Sequence, residues 1–112
     1  MKKLLTALLF VPLMVHAEFW SGNDLYNKLS SNEFMERTQG IGYIMGVYDV
    51  AVHVYFCPAS EKSITVGQLR DMMFNWLQQN PARRHELAEK LVLDVFRQTW
   101  PCQNRNVPGR GA

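Results

Sequence analysis

Apolar side chains recur three and four positions apart through most of residues 21–101, with short polar breaks between the runs. That period belongs to α-helices. Ser21 reads as a helix N-cap with Asp24 three positions on, and Leu25 and Leu29 share one face, which predicts a short first helix. Ser30 and Glu33 repeat the cap signal, and Phe34, Thr38, Ile41 and Met45 follow at helical spacing. Thr65 and Gln68 form another capping box ahead of Leu69, Met72, Met73, Trp76 and Leu77. Asn80-Pro81 stops that helix and starts the next, with Asn80 as N-cap and Pro81 in the first turn. Leu87, Ala88, Leu91, Val92, Val95 and Phe96 give the clearest stripe, which Pro101 ends. Residues 58–63 are polar and read as a loop, and residues 103–112 read as a disordered tail.

Residues 40–56 fit two patterns. Their β-branched and aromatic side chains suit a strand. Ile44, Val47, Ala51, Val54 and Tyr55 also keep a helical stripe, and no turn residue interrupts the segment, so a helix through residue 56 is the expectation. Gly42 and Gly46 lie four apart on one face of that helix. Their spacing would let another helix approach closely, although each glycine costs roughly 1 kcal/mol relative to alanine. The whole reads as a small all-α bundle of four to five helices, spanning residues 18–102.

The first seventeen residues change where this bundle is placed. Met1-Lys2-Lys3 is basic, residues 4–15 are almost entirely apolar, and Val15-His16-Ala17 suits a small-residue cleavage site. That is the layout of a secretory signal peptide, too short for an ordinary membrane span. No cysteine follows the cleavage site to carry a lipid, so the expectation is a periplasmic chain from Glu18 with no stable membrane insertion. Its two cysteines, Cys57 and Cys102, should pair in an oxidising compartment. Closing that loop would add about 4 kcal/mol on the chain-entropy model. Lys2 and Lys3 leave with the signal, so the twelve basic residues become ten, facing ten acidic ones. A neutral mature chain gives no reason to expect nucleic acid. Arg83-Arg84, beside Glu86 and Glu89, reads as a solvated helix face.

Candidate chemistry is sparse. No Cys-x-x-Cys motif activates either thiol. Asp49 and His53 are four apart and suit a side-chain hydrogen bond better than a metal, and His85 has only Glu89 nearby. Glu33 with Glu36, and Glu86 with Glu89, sit where acids favour a helix start. Most aromatics, among them Tyr43, Tyr48, Tyr55, Phe56, Trp76, Phe96 and Trp100, fall on apolar stripes, while Phe19-Trp20 would fold back as a staple before the first cap. No enzyme, metal or cofactor is expected. The chain reads as a binding protein, and the exposed loop Ser60-Glu61-Lys62-Ser63, fastened at one end by Cys57, is the candidate partner-binding element.

Several blocks resemble one family. Ser21-Gly22-Asn23-Asp24-Leu25 is similar to its opening. Gly42-Tyr43-Ile44-Met45-Gly46-Val47-Tyr48-Asp49 resembles its central signature. Phe56-Cys57-Pro58 followed by Ile64-Thr65-Val66-Gly67-Gln68-Leu69 resembles its next block, and Asn80-Pro81 and Trp100-Pro101-Cys102 its closing positions. The family is the Rap/Tai periplasmic immunity proteins, and the likeness covers residues 19–102. It implies a helical protein that protects a bacterium from type VI secretion effectors by blocking the cleft of a peptidoglycan hydrolase, above all an amidase. It also implies a homodimer. One departure stands out: the family often carries a second cysteine pair, at positions that hold Leu29 and Gly40 here.

Two other functions compete. A phage-encoded periplasmic inhibitor of a phage lysozyme, serving superinfection exclusion, would perform the same physical task. A periplasmic stress chaperone would need order lost in acid, which a neutral chain with two mature histidines does little to favour.

Overall fold

The computed structural model describes residues 19–103; the signal-peptide segment and the tail beyond 103 lie outside them. Four helices form the fold: α1 (Gly22–Leu29), α2 (Phe34–Ala51), α3 (Val66–Gln79) and α4 (Ala88–Thr99), with single 3₁₀ turns at Glu61–Ser63 and Pro81–Arg83. Each helix touches the other three. The expected all-α bundle with one disulfide is what the chain forms.

Both capping boxes are present. Asp24 N–H donates to Ser21 Oγ at 3.1 Å and Ser21 N–H to Asp24 Oδ2 at 2.9 Å. Gln68 N–H donates to Thr65 Oγ1 at 3.1 Å and Thr65 N–H to Gln68 Oε1 at 2.7 Å. Inside, Leu25 and Leu29 meet Ile44, Leu69, Met73, Leu77, Leu91, Val92 and Phe96, all buried. Trp20 does staple the N-terminus, stacked on Tyr43 at 4.8 Å, whereas Phe19 is left exposed.

Three expectations need correction. The first is the length of α2. It ends at Ala51, and residues 52–56 reverse direction, with His53 in the left-handed region at φ 66°. His53 N–H donates to the Phe56 carbonyl at 2.6 Å. The reason is Phe56, which is fully buried against Tyr48, Phe96 and Trp100, with ring centroids 5.3, 5.2 and 6.1 Å away. Eight residues of continued helix would have carried it about 12 Å past Tyr48.

The second correction is the start of α4. Asn80-Pro81 begins one 3₁₀ turn, not the helix; Asn80 Nδ2 instead donates back to the Trp76 carbonyl at 2.9 Å. Residues 84–87 then run beside the start of α1. Gly22 N–H donates to the Glu86 carbonyl at 2.8 Å, Asn23 N–H to the Arg84 carbonyl at 2.7 Å, and Ala88 N–H to the Trp20 carbonyl at 2.8 Å. The first N–H groups of α1 have no helical acceptor, and this segment supplies one. Arg84 is therefore no solvated helix residue. Its half-buried guanidinium lies 4.1 Å over the Tyr26 ring, which stacks on Phe74 at 5.5 Å, and Arg70 lies 4.5 Å over the Phe74 ring. Each of the two stacked rings at the α1–α3 seam thus carries a cation.

The third correction concerns the glycines. Among the described residues no helix crosses at Gly42 or Gly46, where an added Cβ would meet nothing within 4 Å. Close approach happens at two other glycines. A Cβ on Gly22 would lie 2.5 Å from Leu91 Cδ1 and 2.9 Å from the Arg84 carbonyl oxygen. One on Gly40 would lie 2.9 Å from Leu29 Cδ2. Gly22→Ala is expected to cost about 1–3 kcal/mol, because backbone must move. Gly46→Ala in dilute solution should instead gain about 0.5–1 kcal/mol of helix stability. Urea unfolding of the two variants checks this, and equal signs would refute the assignment.

Arg83 joins an ion network instead of a solvated face. It donates to Glu86 at 2.8 and 2.9 Å and to Asp94 at 3.1 Å, while Lys90 donates to the same two carboxylates at 3.2 and 3.0 Å. The Arg83 hydrogen bond, helped by Lys90, pulls the Glu86 pKa from 4.5 to about 2 against the effect of burial. Partial burial works to raise Asp94, but the hydrogen bonds from Lys90 and Arg83 outweigh it and hold it low. Carboxylates with folded pKa values below their unfolded ones stabilise the fold above the unfolded value, and that stability fades as pH falls. Thermal melts followed by circular dichroism should show Tm dropping between pH 4.5 and about 2. Glu86→Gln should flatten part of that drop; a variant that parallels the native protein through this window would show that the network carries no linkage.

Candidate functional site

The loop between α2 and α3 is built at both ends. Cys57 and Cys102 form a disulfide with Cα atoms 4.8 Å apart, and Cys57 N–H donates to the Trp100 carbonyl at 2.7 Å. The disulfide joins the end of α4 to the residue after the 52–56 reversal, so it holds the loop and not the end of α2 itself. Pro58 is buried behind it. At the far end Ile64 packs against the core and Thr65 caps α3.

Between these anchors Ser60, Glu61, Lys62 and Ser63 are all exposed. They form a turn. Glu61–Ser63 is one 3₁₀ turn, Ser63 Oγ donates to the Ser60 carbonyl at 3.1 Å, and Ile64 N–H donates to the Glu61 carbonyl at 3.1 Å. Glu61 is ion-paired with His53 Nε2. The expected Asp49–His53 contact does not form, because α2 ends between the two residues and the left-handed backbone at His53 turns its ring toward the loop. Lys62 has no ion-pair partner among the described residues. The arrangement is a short polar projection with its conformation set by the disulfide, a buried proline, a capped helix and an ion pair.

Two open grooves meet at Tyr55. One, of about 570 Å³, runs past the disulfide between Val54, Tyr55, Asp94, Arg97, Gln98 and Pro101. The other, of about 410 Å³, follows the outer side of α2. Tyr43 edges this second groove; burial first, and then the nearby Glu89 charge, push its hydroxyl pKa up. The carboxylates considered for chemistry serve structure: Glu86 belongs to the ion network, and Glu36 and Glu89 lie in first helical turns. Among the described residues no group of three or more histidine, cysteine, aspartate or glutamate side chains is placed to hold a metal ion.

Sequence reasoning missed one surface. Phe34, Met35, Val50, Val54 and Tyr55 were assigned to stripes or left unassigned, and all are exposed.

No helix among the described residues is long and apolar enough to cross a membrane. A comparison with curated proteins finds no match. The family model of the Rap1a immunity proteins matches residues 21–102, from the Ser21 cap to the second cysteine of the disulfide. The chain belongs to the Rap1a immunity protein family.

Proposed function

We propose that this protein is a periplasmic inhibitor, with no chemistry of its own, that binds a peptidoglycan-degrading effector of the amidase type and blocks its cleft. Membership of the immunity family carries the general reading, protection against a secreted effector. The N-terminal segment, basic and then apolar with a small-residue end, supports export, and the Cys57–Cys102 disulfide suits an oxidising compartment. The resemblance also brings the expectation of a homodimer.

The single observation behind the inhibitory element is the anchored loop. An insert that is ordered before it meets a cleft loses less conformational freedom on binding than a floppy one. Ser60, Glu61, Lys62 and Ser63 project from a base that the disulfide and two packed residues keep in place. They also present hydroxyls, a carboxylate and an ammonium to whatever they enter.

Pull-down with the mature domain, followed by a peptidoglycan digestion assay on the captured protein, tests the function. Stoichiometric loss of hydrolase activity is expected. A captured partner that cuts peptidoglycan equally well with the domain bound would overturn the reading. Replacing residues 59–63 with glycine and serine tests the loop. Tm should change little, since the exposed His53–Glu61 pair is worth about 0–1 kcal/mol. Affinity for the hydrolase should fall at least about tenfold, or 1.4 kcal/mol. Full inhibition by the replaced loop would move the binding surface elsewhere.

A further inference from the structure

We propose that the groove beside the Cys57–Cys102 disulfide seats an acidic segment of the partner hydrolase, with Arg97 as the side chain that recognises it. The proposal rests on the reading above, in which a hydrolase takes up the exposed loop, and adds a second contact on the same partner. Nearly every cation among the described residues is engaged within the chain. Lys28 donates to Gln39, Arg37 to the Ser31 carbonyl and Arg70 to Asp71, while Arg83 and Lys90 share Glu86 and Asp94. Arg84 lies over Tyr26. Lys62 and Arg97 remain, and among the described residues neither has a hydrogen bond, an ion pair or a ring contact. The disulfide connects their places: Lys62 is exposed on the loop that Cys57 anchors, and Arg97 is exposed in the last turn of α4, lining the groove with Cys102. A helix end favours a cation there whatever it faces, so it is the surroundings of Arg97 that point to a partner.

The groove holds about 570 Å³ and is open to solvent. Val54 and Tyr55 line it and are 66% and 52% exposed, so apolar surface stands beside the free guanidinium. Tyrosine and arginine are the side chains that most often carry binding energy at protein interfaces. Charge complementarity says what they receive. Asp94 is the one acidic residue lining the groove, and Arg83 and Lys90 already hold its carboxylate. With Glu86, that network sets two acids against two bases and is neutral. The charge of Arg97 is therefore uncompensated. A guanidinium takes a carboxylate through two parallel hydrogen bonds, so the fitting guest carries aspartate or glutamate. Lys62 asks for the same sign on the loop, where Glu61 is engaged by His53. Loop and groove share one disulfide, so a hydrolase that receives the loop brings the rim of its cleft over the groove.

Arg97→Gln, Arg97→Lys and Arg97→Glu of the mature chain test this, with affinity for the captured hydrolase measured by calorimetry at low and high salt. Arg97 holds no polar partner in the fold, so Tm should stay close to the native value. Arg97→Gln should weaken binding about tenfold at low salt and make it less sensitive to salt, because a charge pair across the interface is lost. Arg97→Glu should weaken it further. Arg97→Lys should recover part of the loss, since it keeps the charge without the two-point geometry. A hydrolase that binds Arg97→Glu as tightly as the native chain would overturn the groove contact and leave the loop reading standing. A native chain that captures no hydrolase would overturn both. Soluble peptidoglycan fragments, whose stem peptides carry free carboxylates, supply the remaining arm. If they bind the native chain in the absence of hydrolase, and Arg97→Glu abolishes that binding, the groove belongs to the cell wall and the protein contact is overturned.

Discussion

The burial of Phe56 is the constraint on which one whole end of this molecule depends. Its ring is the hub of an aromatic cluster with Tyr48, Phe96 and Trp100. To reach that hub the chain must leave α2 at Ala51 and double back, accepting a left-handed residue at His53. Histidine is among the non-glycine residues that tolerate this region best. The reversal delivers Cys57 to the end of α4, where a backbone hydrogen bond to Trp100 and the disulfide close the structure. It also aims His53 at Glu61, so the same turn that packs the core positions the exposed loop.

What the sequence revealed and what it hid follow one division. Signals that act over three or four residues were legible: the Ser21–Asp24 and Thr65–Gln68 boxes, the stripe of α3 and that of α4 from Ala88 onward stand as read, while Leu87, counted in the α4 stripe, is the exposed residue before the helix. Elements ended by tertiary contacts were not. The segment after Asp49 holds no glycine or proline until Pro58, so nothing local announces that α2 stops at Ala51. Likewise Asn80-Pro81 is a sound helix start, and one helical turn does form there. The carbonyls that would have continued it go to the N–H groups of Gly22 and Asn23, a contact more than sixty positions away in the chain. The glycine spacing of α2 was visible, but spacing does not say which side a helix turns to its neighbours. The loop at residues 59–63 was legible as polar and exposed; its ion pair with His53 was not, because it depends on the reversal.

The missing second cysteine pair has a structural counterpart. The two positions that resemblance assigns to it, Leu29 and Gly40, are in contact, with the Leu29 side chain lying over the bare Cα of Gly40. The two solutions act on different states. A disulfide constrains the unfolded chain, whereas a leucine packed on a glycine stabilises only the folded one. The α1–α2 junction of this chain therefore opens whenever its packing is lost, while the α2–α4 end stays tied through Cys57 and Cys102.

The 52–56 reversal also borders the proposed inhibitory loop. Tyr55 edges both grooves, and His53 holds Glu61 from the other side of the same turn. One buried phenylalanine therefore sets the shape of a five-residue turn that both closes the core and fixes where the exposed loop begins.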